Sequence, residues 1–207
     1  MVLYSVLFLI LAALAPPLIL LGIIYRLDQI EREPPGLLWS LFYWRPMVYL
    51  FLAYFVVPGF IEEGIKYRVL RRRTWNEPNF NYRFDGVVYG VFVSLGFAAV
   101  ENVMYVLTSG FSTAVVRAIF SIPGHAMFGV VMGAALGQAK WLAAHGQGQQ
   151  AAAFLRRAWL LPAILHGAYD FLLVGFGWVF YLYFAGLVVY VLRLLRRSIR
   201  EDVPIVG

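Results

Sequence analysis

Residues 86–107, 118–139, 152–174 and 176–195 form four apolar stretches that are almost free of charge. Each has the length, about 20 residues, that a helix needs to cross the hydrocarbon core of a bilayer. No water satisfies a backbone N–H or C=O there, so such segments must close their hydrogen bonds internally, as helices do. The composition agrees: 62% of the chain is hydrophobic and 14% charged, whereas a soluble domain is about 45–50% apolar and about 25% charged.

Two further apolar segments precede these four. Residues 2–25 contain Pro16-Pro17, where a kink is expected. No basic segment precedes this stretch and no short apolar run with a small-residue cleavage site follows, so a retained helix is expected rather than a secretory signal. Residues 26–35 form a charged loop that ends in proline. Residues 36–61 are interrupted at Arg45-Pro46 and Pro58-Gly59, run into Glu62, Glu63 and Lys66, and end at Arg71-Arg72-Arg73. The expectation is an all-α polytopic membrane bundle of about six transmembrane helices, with the 36–61 segment broken or re-entrant. It would form one domain over 1–207, without a repeat.

Loop charge orients the bundle. Arg71–Arg73, then Lys140 with Arg156-Arg157, then Arg193, Arg196, Arg197 and Arg200 make three basic ends joined by four spans. Alternation puts all three in the cytoplasm, with loops 108–117 and 175–177 outside and both termini inside. The net charge of +6 lies mostly at these ends. That favours contact with the lipid bilayer over nucleic acid, for which no basic-aromatic motif appears. The chain has no cysteine, which excludes disulfides, a thiol nucleophile and thiolate metal sites.

Seven ionisable residues lie within this apolar text: Glu62, Glu63, Lys66, Glu101, His125, His166 and Asp170. Each costs about 2.5–3.5 kcal/mol at the centre of a bilayer on insertion scales. They need one another, a water-filled cavity or a metal. Lys66 follows Glu62 and Glu63 by one helical turn and can neutralise a carboxylate. Glu101 shares a helical face with Gly90, Ser94 and Phe97, and the row Gly86, Gly90, Ser94, Ala98 lets another helix approach closely. His125 leads a ridge at four-residue spacing, Gly129, Gly133 and Gly137, and so points into the bundle. His166 and Asp170 are i,i+4 on one face, so the carboxylate can hold the second ring nitrogen. His145 reads as an ordinary exposed histidine. Singly, each residue has a structural explanation as a charge cluster at a helix end, a buried acid or a packing histidine. Together they suit hydrolysis.

The set Glu62-Glu63-x-x-Lys66, Phe97-x-x-x-Glu101-Asn102, His125-x-x-x-Gly129 and His166-x-x-x-Asp170, in this order, resembles the PrsW family of intramembrane proteases. The text from Asp85-Gly86 to Glu101-Asn102, and Leu161-Pro162 ahead of His166-Gly167, looks especially like it. The resemblance covers about residues 59–172. A related group includes the type II CAAX prenyl endopeptidases. It prefers an arginine where Tyr67 stands and a histidine where Glu101 stands, so these departures favour PrsW and count against prenylated substrates. The resemblance implies cleavage of a membrane-tethered protein, anti-sigma factors being the best-known class.

The preferred chemistry is a glutamate-activated water. Glu62 or Glu63 acts as general base, His125 and His166 polarise the carbonyl and protonate the amine, Asp170 orients His166, Lys66 sets the glutamate charge and Glu101 positions the water. No cofactor is required on that reading. The alternative is zinc held by His125, His166 and one or two of Glu62, Glu63, Glu101 or Asp170. A proton-coupled transporter and an inactive membrane scaffold are the non-enzymatic alternatives.

Overall fold

A computed structural model describes residue 48 and residues 50–206. The expectations for 2–25, for the 26–35 loop and for Arg45-Pro46 lie outside these residues. Helix α1 (Leu52–Glu62) is wound as a π-helix and passes directly into α2 (Glu63–Thr74). Then follow α3 (Asp85–Ser109), α4 (Phe111–Ile119), α5 (Ser121–Ala144), α6 (Gly148–Gly175) and α7 (Trp178–Arg200). Four stretches are long and apolar enough to cross a membrane: Asp85–Thr108, Val115–Ala144, Gly148–Gly175 and Trp178–Arg200. They coincide with the four spans read from the sequence.

Helix α5 is the centre of the bundle, and its glycine ridge explains why. A Cβ on Gly90 of α3 would press on the backbone of Gly129 and Gly133, and one on Gly133 would press on Gly86. The two small-residue rows interlock, and the helix backbones touch. In lipid this close van der Waals contact replaces the hydrophobic drive that water supplies elsewhere. A second such approach joins α1 to α6, where Gly59 lies against Ala163 and Gly167 lies against Phe55. Larger side chains complete the packing. Phe128 and Val131 of α5 meet Tyr169 of α6 and Phe180 and Leu187 of α7. Leu70, Phe80, Met132, Leu136 and Ala158 close the end near α2.

One segment differs from the sequence reading and another goes beyond it. The 108–117 connection, expected as a loop, contains most of α4. Gly110 turns the chain at φ 83°, and Phe111, Val115 and Ile119 then recur at helical spacing. Ser112 and Thr113 hide this period in the sequence. The segment beyond Arg200, which carries no sequence expectation of its own, docks on the loop before α3. Ile205 is buried and its N–H donates to Asn81 O at 2.7 Å, while Arg83 N–H donates to Val203 O at 3.1 Å. The Asp202 carboxylate accepts from Phe84 N–H at 2.9 Å, at the helix N-terminus where negative charge is favoured.

Candidate active site

The site begins at the junction of α1 and α2. Pro58 lies inside α1 and offers no N–H, and the i→i+5 winding around it accommodates the loss. The break expected at Pro58-Gly59 is thus a change of winding with the helical path kept. Glu63 N–H reaches back to Gly59 O and Phe60 O. Because Gly59 lets α1 approach Gly167 of α6, the first turn of α2 faces His166. Glu63 and Lys66 are 0% and 1% exposed.

All seven residues singled out in the sequence lie in one connected cluster. Lys66 Nζ donates to Glu63 Oε1 at 2.5 Å and to His125 Nδ1 at 2.9 Å, and stands 3.8 Å from Glu62 Oε2. His166 Nδ1 lies 2.8 Å from the same Glu63 oxygen. His125 Nε2 lies 3.0 Å from Glu101 Oε2, and His166 Nε2 lies 3.7 Å from Asp170 Oδ2. The lysine can only donate, so His125 accepts at Nδ1 and carries its proton on Nε2, which donates to Glu101. Both histidines therefore turn Nδ1 to a common centre and keep a carboxylate behind Nε2. Their ring centroids are 5.0 Å apart. Phe128 stacks on His166, and Lys66 Nζ sits 4.4 Å from the Phe97 ring centroid, so apolar walls hold the polar groups in place.

Arg117 of α4 belongs to the cluster and was missed in the sequence. Its Nη2 is 2.9 Å from Glu101 Oε2, and its Nε donates to Asn102 Oδ1 at 2.9 Å. The guanidinium lies over Tyr105. One signal was present: a buried glutamate needs more than one imidazole to balance it, and Arg117 is the nearest arginine beyond it in the sequence. His145, by contrast, is exposed, accepts no site partner and stacks on Trp141.

The donor set suits a divalent metal. Glu63, His125 and His166 each offer a ligand atom, all within 4.8 Å of one another. Glu62 Oε2 and Glu63 Oε2 are buried without a hydrogen-bond partner. Two imidazoles and a carboxylate form a recognised catalytic zinc set. A carboxylate hydrogen-bonded behind the distal ring nitrogen fixes the tautomer and orientation of such a ligand; Glu101 stands so behind His125, and Asp170 stands at ion-pair distance, 3.7 Å, behind His166. The cluster is closed on the Glu63 side, while the Glu101 and Asp170 side chains keep 16% and 30% of their surface.

A buried nest of acids and histidines, carried by helices apolar enough to span a membrane, defines a membrane-embedded hydrolase. Its class follows from the relatives of the chain: the profile of the PrsW family intramembrane metalloproteases matches residues 5–194. The chain belongs to that family, and it is a membrane protein and a peptidase. Protease PrsW of Bacillus subtilis is 32% identical over 190 residues, covering 83% of this chain and 85% of the relative. Protease PrsW of Oceanobacillus iheyensis is 35% identical over 184 residues, covering 80% and 83%. That of Shouchella clausii is 34% identical over 187 residues, covering 82% and 85%. No solved structure matches the chain. Family membership decides against the transporter reading.

Proposed function

We propose that the chain, as one protease domain over 1–207, hydrolyses a peptide bond of a membrane-tethered protein at a divalent metal held by Glu63, His125 and His166, with Glu62 as general base. The observation that carries this is the meeting of Glu63, His125 and His166, whose ligand atoms all lie within 4.8 Å of one another, with a carboxylate on the far side of each imidazole. When bound, zinc would polarise the scissile carbonyl and make its water more acidic. Glu62 takes the proton from the attacking water and returns it to the departing amine nitrogen. Glu101 and Asp170 hold the imidazoles in their tautomers, and Arg117 steadies Glu101. Lys66 balances the charge of the paired glutamates, which in a dry site need a cation beside them.

The second reading is the glutamate-type mechanism without metal. The short contact of Lys66 with Glu63 and His125 favours it, because there the ammonium itself is the cation among these donors. His125 and His166 then polarise the carbonyl and protonate the amine.

The substrate is anti-sigma-factor-like by family resemblance, a single-pass protein cut within or beside its span. Full-length protein in proteoliposomes, given a tagged single-pass substrate and soluble casein, checks this by mass spectrometry of the products. Cleavage at one position in or near the span, with casein intact, is expected. Equal cleavage of casein would contradict a membrane-tethered substrate.

The protein lies in the cell membrane as a multi-pass chain with both termini cytoplasmic. The native sequence has no cysteine, so single cysteines report sidedness cleanly. Asn76→Cys and Gln147→Cys should label only from the cytoplasm and Ser112→Cys only from outside. Labelling of Asn76→Cys and Gln147→Cys from opposite sides would refute this topology.

A further inference from the structure

A second polar feature lies away from the acid–histidine cluster. A cleft of about 480 Å³ opens between α5, α6 and α7, at the same end of the bundle as the basic loops. Three arginines from three parts of the chain line it: Arg83 ahead of α3, Arg157 on α6 and Arg197 on α7. Deeper in, the lining is apolar, with Val131 and Ala134 of α5, Leu161 of α6 and Leu194 of α7. Seven residues separate Val131 from Gln138 at the mouth, which at 1.5 Å per residue is a depth of about 10 Å. One acid, Glu201, also lines the cleft. Its carboxylate is bound by Arg197 Nε at 2.8 Å, and its backbone carbonyl accepts from Arg83 at 3.1 Å. Three arginines against this one glutamate leave the lining with an excess of positive charge.

We propose that this cleft binds an anionic phospholipid, with the phosphate at the arginine rim and an acyl chain against the apolar floor. A soluble phosphate would use the rim and leave the floor bare. A zwitterionic lipid would fill the floor and leave the excess positive charge unanswered. An anionic lipid satisfies both halves, and basic pockets between transmembrane helices are where such head groups bind. Bound there, the lipid bridges α5, α6 and α7. Helix α7 is also held to the bundle by the buried strip of Phe180, Leu187 and Val191, by Phe184, and by the Tyr183 hydroxyl, which donates to Leu165 O of α6 at 2.6 Å.

Native mass spectrometry of the full chain, extracted from vesicles of equal phosphatidylglycerol and phosphatidylcholine, reads the occupant directly. The wild-type protein should retain phosphatidylglycerol preferentially. In Arg157→Gln/Arg197→Gln that preference should fall roughly tenfold or more, at about 1 kcal/mol for each basic residue near the surface. Arg71→Gln/Arg72→Gln removes the same charge from another basic end and should keep it. Ala134→Phe keeps every charge, fills the floor and should lose the lipid. Circular dichroism verifies the fold of each variant. If Ala134→Phe does not fold, the two arginine variants still decide. Equal retention of both lipids by the wild-type protein would overturn the proposal, as would equal losses in the two double variants. So would full displacement by millimolar inorganic phosphate, which would assign the rim to a soluble anion.

Discussion

Glu62→Gln should lower the cleavage rate by about 10²–10⁴-fold, the usual contribution of a positioned general base, with the metal retained. The amide keeps the shape of the side chain but cannot accept the proton. Glu62 stands 3.8 Å from Lys66 and holds a buried oxygen without a hydrogen-bond partner, so little else depends on its charge. Glu63→Gln should behave differently. Glu63 Oε1 accepts from Lys66 and lies 2.8 Å from His166 Nδ1, and removing one member of a buried ion pair costs about 3–5 kcal/mol because the other charge is left uncompensated. That variant should lose metal, activity and stability together. Cleavage assays run beside thermal melts and metal analysis separate the two. A Glu62→Gln enzyme that cleaves at the wild-type rate would remove it from the base role.

Gly133→Leu should disrupt the bundle itself. A Cβ at this position would run into the backbone of Gly86 and Val87, and no rotamer moves backbone aside. Overpacking a tight core ordinarily costs about 1–3 kcal/mol and occasionally more. Here α3 and α5 would have to separate along the ridge, and they carry Glu101 and His125. The folded fraction in detergent, read by size exclusion after stepwise heating, should fall sharply and activity with it. Gly186→Leu on α7 is the control, since a Cβ there meets nothing within 4 Å. Equal melting of the two variants would show that the glycine ridge does not hold α3 to α5.

These two predictions rest on features that were legible in the sequence for simple physical reasons. Burying ionisable groups in hydrocarbon is so costly that their positions mark the site. Four-residue glycine spacing makes a ridge whatever the rest of the helix does. The relation between the elements was not legible. The segment leading to Glu62 and Glu63 was expected to be broken or re-entrant, which left open how the two glutamates meet the histidines. The structure resolves this with π-winding and with the approach of Gly59 to Gly167, and neither has a sequence period of its own. Arg117 was missed because α4 is short and carries Ser112 and Thr113 in its first turn, which read as loop. The docking of Ile205 depends on a contact more than a hundred residues away in sequence, beyond the reach of any local pattern. Lys66 was expected to neutralise a glutamate, but its second contact, with His125 Nδ1, was not foreseen. That contact leaves two cations competing for one set of donors.

That competition makes metal content the most direct test of the account. Protein purified without chelator or added metal should contain about one equivalent of a divalent metal such as zinc, as a catalytic set of three protein donors with one open position would hold. His125→Ala and His166→Ala should each lose it, and a strong chelator should abolish cleavage until the metal is restored. Metal-free wild-type protein that cleaves its substrate at full rate in chelator would contradict the account and assign the central cation to Lys66.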